Sequence, residues 1–126
     1  MLFLVKDQLD KRVGHTGFKN LSHSSALSDN TIRGDRAEHP KIFVFAIRCL
    51  IEWLFDVADI GKVEGEVFSD NVPALMMNRQ VGFKLVEKLI LEEVQEGNTT
   101  ILKPADDGPE KNTKILHRLE IKRSDF

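Results

Sequence analysis

Tyrosine is absent from this 126-residue chain, and cysteine and tryptophan occur once each. The lone Cys49 excludes an internal disulfide and any zinc site built from several cysteines. Its place inside an apolar run predicts a buried small hydrophobe rather than a nucleophile. Charge of one sign is also short. The net formal charge is −2, too little cation excess for a general nucleic-acid binder. No apolar stretch is long enough to span a bilayer, and "MLFLV" lacks the basic start of a leader, so the chain reads as cytoplasmic with no membrane partner. His23, His39 and His117 are scattered without an H-x-x-x-H spacing, so no metal site is expected. No internal repeat is present, and residue order alone argues for no Ser-His-Asp arrangement.

What is present is an ordinary globular balance: 41% hydrophobic and 30% charged residues, enough to build one core. A single domain over residues 1–126 is expected. "LFLV" at Leu2–Val5 and "VGHTGFKN" at Val13–Asn20 read as strands around a turn. "SALSDNTIRG" at Ser25–Gly34 alternates more weakly as a third. Pro40–Asp59 reads as a helix, with Pro40 suited to its first position and Gly61 just beyond its end. Lys41, Arg48, Glu52 and Asp56 form one narrow polar stripe on it, which predicts a core helix lying on a sheet.

"KVEGEVF" at Lys62–Phe68 is a strand. Asn71 then serves as an N-cap, Pro73 falls in the first turn and Gly82 ends the helix, so Val72–Val81 is expected to be short and well punctuated. Phe83–Val94 reads as a long strand with Phe83, Leu85, Leu89 and Leu91 on one face. Residues 95–113 read as a loop, with "TTIL" able to lengthen the strand before it. "KILHRLEIK" closes the chain as a strand with Ile115, His117, Leu119 and Ile121 on one face. The predicted order is β-β-β-α-β-α-β-β, a mixed α/β sheet that is mostly antiparallel.

A strand ending V-x-x-x-N, an x-x-A helix and a Gly-Phe opening the next strand occur here as Val67, Asn71, Ala74, Gly82 and Phe83. With "VGHTGF" upstream and "IRG" ahead of the long helix, this ordered set resembles the GNAT acyl-CoA-dependent N-acetyltransferases over about residues 2–94. The resemblance implies acetyl-CoA as acyl donor and an amine of a small molecule, amino sugar or peptide as acceptor. It places the coenzyme's pyrophosphate at the start of the long helix, where free N–H groups and the helix dipole favour an anion. Arg33, Gly34, Arg36 and Lys41 would serve there, and Asn71 would hold the pantetheine arm. The sheet would splay between Ser25–Arg33 and Lys62–Phe68, with Gly65 allowing close approach.

Three features depart from that pattern. Asp35 and Glu38 disturb the usual phosphate-loop spacing. Asn78 stands where the family often has a tyrosine acid, and an amide has no proton to give. The family's first strand and first two helices have no counterpart, which predicts uncovered apolar surface and a homodimer. The departures keep open a rival reading, a non-catalytic domain of the same fold that binds an acyl-CoA or a protein partner. For a catalyst, Asp29 is the first candidate base, ahead of Glu64, Glu66 and His15, and Asn78 is the candidate donor toward the departing sulfur.

Overall fold

The computed structural model describes residues 1–34, 40–104 and 113–126. Seven strands and two α-helices follow in the order β1 (Leu2–Lys6), β2 (Arg12–Lys19), β3 (Ser25–Arg33), α1 (Ile42–Asp56), β4 (Lys62–Phe68), α2 (Val72–Val81), β5 (Lys84–Glu96), β6 (Thr99–Pro104) and β7 (Thr113–Lys122). They form one sheet in the spatial order β1-β2-β3-β4-β7-β5-β6. Only β3 and β4 pair in parallel; every other neighbouring pair is antiparallel.

The expected element order holds, with one strand added. "TTIL" does not lengthen β5 but turns back on it as β6, with Glu96 paired to Thr99 across Gly97-Asn98. Gly97 has φ 62°, the left-handed conformation that a tight hairpin turn needs. Helix α1 is shorter than expected: Pro40 lies in a turn ahead of it, and helical structure ends at Asp56.

Both helices lie on one face of the sheet. Phe43, Val44, Ile47, Ile51, Leu54 and Phe55 recur at helical spacing and are all buried. Ile47, Ile51, Leu54 and Phe55 join Phe18, Ala26, Val63, Val67, Val81, Phe83, Leu119 and Ile121 in one core. Val5, Val13 and Phe43 make a smaller cluster. Each Val, Leu, Ile or Phe among them contributes roughly 1.5–3 kcal/mol when fully buried. Strand β4 shows the two faces plainly: Val63, Gly65 and Val67 are buried while Glu64 and Glu66 point away from the helices. That second face carries no helix among the described residues.

Two expectations about buried faces fail. Cys49 is exposed, because Phe45, Cys49 and Trp53 are spaced four apart on the side of α1 turned from the sheet. On β5, a register shift between Leu85 and Glu87 resets the alternation, so Leu85 pairs with Leu119 on the covered face while Leu89 pairs with Leu116 on the other.

Gly14 is required by the packing. Its φ is 149°, and a Cβ there would lie 2.6 Å from Phe43 Cζ and collide with the Ile32 carbonyl oxygen. The chain's last turn ties the helices from below. Arg123 donates to the Phe55 carbonyl, the Phe126 ring meets Phe55 edge-on, and Arg48 stacks on Phe126 while donating to the Val81 carbonyl. No helix among the described residues is long and apolar enough to cross a membrane.

Candidate functional site

Strands β3 and β4 stay together for only three pairs, from Ser25–Lys62 to Leu27–Glu64. Beyond them β3 follows β2 and β4 follows β7, so the sheet opens. A cleft of about 240 Å³ fills the opening, bounded by Ser28, Asp29 and Thr31 on one side and by Gly65 to Phe68 on the other. Helix α2 closes its end with Asn71, Ala74, Met77 and Asn78. A second groove, of about 480 Å³, runs between the starts of the two helices past Pro40, Phe43 and Pro73. Thr31, Asn71, Ala74 and Met77 line both, so the two adjoin and together mark out a channel from the splay toward the first turn of α1.

The walls are built by local rules. Asn71 Oδ1 accepts from the Ala74 N–H at 3.3 Å, and a proline falls in the first turn of α2. At the other end Gly82 adopts φ 119°, with the Gly82 N–H reaching the Arg79 carbonyl and the Phe83 N–H the Asn78 carbonyl. That pair of bonds is the Schellman arrangement. Strand β3 carries a bulge at the cleft: Asp29 pairs with Gly17 and Ile32 with His15, so Asn30 and Thr31 together face the single residue Thr16. A bulge leaves backbone outside the ladder, and a backbone N–H beside a cleft is what a developing oxyanion needs.

The expected site residues divide into three groups. Asp29, Asn71 and Asn78 come together on the cleft. Asp29 is ion-paired to Lys19 at 3.4 Å. Asn78 is nearly buried at 9% exposure, and its Nδ2 donates to the Ala74 carbonyl at 2.8 Å, so part of its donor capacity is already used inside the helix. Of the other base candidates, Glu66 lines the cleft, Glu64 is held by Lys62 at 2.9 Å, and His15 pairs with Ile32 one strand away.

The second group is the anion end. Lys41 is the exposed N-cap residue of α1 and makes no side-chain cap. The Gly34 N–H donates to the Val13 carbonyl at 2.8 Å, which leaves that group committed to the sheet. The backbone of Arg33 pairs with Gly14. The third group, Arg36 and the Arg33 side chain, lies outside the described residues. A Cβ at Gly65 would meet Phe83 at an ordinary 3.6 Å, so this glycine is not dictated by crowding.

Thr31 and Met77 were not anticipated as lining residues. Strict alternation puts Thr31 on one face with Leu27, Asp29 and Arg33, and the bulge between Asp29 and Ile32 shifts that phase. Also unanticipated is a hollow of about 450 Å³ on the helix-free face, with Glu64, Glu66, Glu87 and Glu120 beside Lys62 and Arg118. The Lys62 amine is held above its ordinary value by its hydrogen bond to Glu64 and by that carboxylate's charge. No cluster of three or more potential metal ligands occurs among the described residues.

The sequence matches no family model and no curated protein. Solved structures match it closely in shape. The spermidine N-acetyltransferase from Vibrio cholerae in complex with CoA and spermine superposes with a TM-score of 0.72 at 16% identity, covering 98% of this chain and 66% of that one. A chimera of the Vibrio cholerae and hSSAT spermidine N-acetyltransferases gives 0.71 at 17%, covering 98% and 67%. A GNAT-family acetyltransferase from Bacillus anthracis gives 0.74 at 12%, covering 98% and 66%. The chain thus spans about two thirds of the length of these structures. Seven strands in this order, one parallel pair that splays and two helices on a common face give this chain the GNAT acetyltransferase fold.

Proposed function

We propose that this chain is a cytoplasmic acetyl-CoA-dependent N-acetyltransferase acting on an amine of a small molecule, amino sugar or peptide. The observation that carries the reading is the channel from the open β3–β4 splay to the first turn of α1. It suits a long thioester ligand, with pantetheine between the strands and the pyrophosphate near Gly34 and Lys41. Arg33 and Arg36 add cations to that end by their place in the sequence. Asn71 holds the arm where both parts of the channel meet.

In the reaction the neutral amine nitrogen attacks the thioester carbonyl carbon. Its proton passes to Asp29, directly or through a water, as Lys19 steadies the carboxylate. Backbone donors at the β3 bulge stabilise the oxyanion. The C–S bond then breaks, and coenzyme A leaves as a thiolate. No described residue lining the splay is a phenol, thiol, imidazole or ammonium, so solvent protonates the sulfur. Asn78 supports that step as a hydrogen-bond donor with its remaining amide proton.

That lack of an acid also favours a second reading, a non-catalytic acyl-CoA-binding domain of the same fold. Thiol release from acetyl-CoA over a panel of amines decides between them. Release with any amine carries the enzyme reading, whereas binding of desulfo-CoA with no release from any amine carries the second. Lys41→Glu and Arg36→Glu should each weaken acetyl-CoA binding, and unchanged affinity in both would move the anion site elsewhere. The carboxylates on the helix-free face make a cationic acceptor the natural one to try first, and the Vibrio neighbour's complex contains spermine. A homodimer completes the proposal, because Leu2, Leu4 and Ile32 stay more than half exposed on that face. Sedimentation at micromolar concentration tests it, and a clean monomer would contradict it.

A further inference from the structure

Thr16 and Thr31 share a hydrogen bond of 2.7 Å between their hydroxyl oxygens, at the bulge where β3 leaves β4. The two threonines are not equivalent. Thr16 is fully buried, and Thr31 Oγ1 is its hydroxyl's hydrogen-bond partner among the described residues. Thr31 is half-buried and lines both parts of the channel. Each hydroxyl has one proton, and only one of the two protons lies between them.

If Thr31 donated, the Thr16 proton would be sealed in the core with no acceptor among the described residues. That arrangement is disfavoured roughly ten- to a hundredfold, the cost of a buried unsatisfied donor. Thr16 therefore donates and Thr31 accepts, which leaves the Thr31 proton for the channel.

Resting on the transferase reading, we infer that Thr31 donates a hydrogen bond to a carbonyl oxygen of the bound acyl-pantetheine. Thr16 is the positioning residue that sets its direction. The bulge brings a side-chain donor to the place where the sheet's own backbone pairing has stopped. A carbonyl entering there finds a proton whose alternative acceptor is already occupied. Asn71 Oδ1 and Asn78 Nδ2, across the channel, are engaged with the Ala74 backbone, so their contribution to the same ligand is reduced.

The test compares the parent chain with Thr31→Val, Thr31→Ser and the double variant Thr16→Val/Thr31→Val. Calorimetric titration with acetyl-CoA and with CoA is combined with thermal midpoints. Thr31→Val should weaken acetyl-CoA binding about tenfold and lower the midpoint, since it orphans the Thr16 proton. The double variant should recover the midpoint, because both hydroxyls are gone, but not the affinity. Thr31→Ser should recover most of the lost affinity. A loss shared by CoA assigns the contact to a pantetheine amide carbonyl, whereas a loss confined to acetyl-CoA assigns it to the thioester.

A double variant that binds like the parent would overturn the role of the hydroxyl and leave the transferase reading standing. An unchanged midpoint in Thr31→Val would overturn the direction of the proton. A parent that binds neither ligand overturns the transferase reading and this inference with it.

Discussion

The two faces of the sheet are stabilised by different physics. On the covered face Val63, Val67, Leu119 and Ile121 are sealed beneath α1 and α2. On the other face strands are joined by side-chain charge, Lys19 to Asp29, Arg118 to Glu87 and Lys114 to Glu93, and Lys62 pairs with Glu64 along β4 itself. Buried apolar contacts depend on shape and are not screened by salt as charges are. Partly exposed ion pairs are worth roughly 0–1 kcal/mol each and are screened by salt. The covered face is committed to folding. The charged face is held by weak pairs that a ligand could exchange at little cost, and the splay is where the two faces communicate.

The contrast breaks most visibly at α1. Leu54→Ala should cost roughly 3–4 kcal/mol of unfolding free energy in urea, because Leu54 has no exposure and its loss leaves a cavity. A cost below about 1 kcal/mol would mean that the covered face is not the source of stability. Gly82→Ala comes next, at about 1–2 kcal/mol, since φ is 119° and the new Cβ would approach Ile121 Cδ1 to 3.1 Å. Asn71→Ala should cost about 1 kcal/mol through the lost cap of α2.

On the charged face Glu87→Ala should change stability by less than about 0.5 kcal/mol, and that difference should vanish in about 1 M salt. A larger, salt-resistant effect would erase the distinction between the faces. The smallest effect concerns Lys62, whose amine Glu64 holds above 10.5. A raised amine stabilises the folded state below its unfolded value, and that contribution is lost as pH climbs through the folded one. The parent's small advantage in thermal midpoint over Lys62→Met should therefore be full at about pH 9 and shrink above 10.5.

Much of this division was legible in the sequence, for stated reasons. "KVEGEVF" alternates without interruption, so Val63, Gly65 and Val67 announced one face. Asn71, a following proline and Gly82 carry specific end-of-helix chemistry, and α2 begins and stops where they say. The failures also have physical causes. The bulge at Leu85–Glu87 shifts the phase of β5 without any glycine or proline to signal it. Helix α1 is apolar on nearly every side, so composition could not tell that Phe45, Cys49 and Trp53 face outward. The β5–β6 hairpin carries a local turn signal, Gly-Asn between two strand-forming runs, which the polar stretch that follows obscures.

In the candidate site, Asn71, Asn78 and Asp29, which the family resemblance pointed to, line the cleft, as does Thr31, which it did not. Its hydroxyl meets a partner fifteen residues earlier, joined only when β2 and β3 pair. Such pairing is a property of the folded sheet, and no local pattern encodes it.

The position of β7 has a consequence for how the chain is made. Strand β7 lies between β4 and β5, and it supplies the partner for both. A nascent chain emerging from the ribosome therefore holds two unjoined half-sheets, each with an open edge, until Thr113–Lys122 has been synthesised. Vectorial synthesis cannot complete this molecule piecewise. The splay can form only after β7 has locked one of its two walls, so ligand binding should appear abruptly, once β7 has paired with β4.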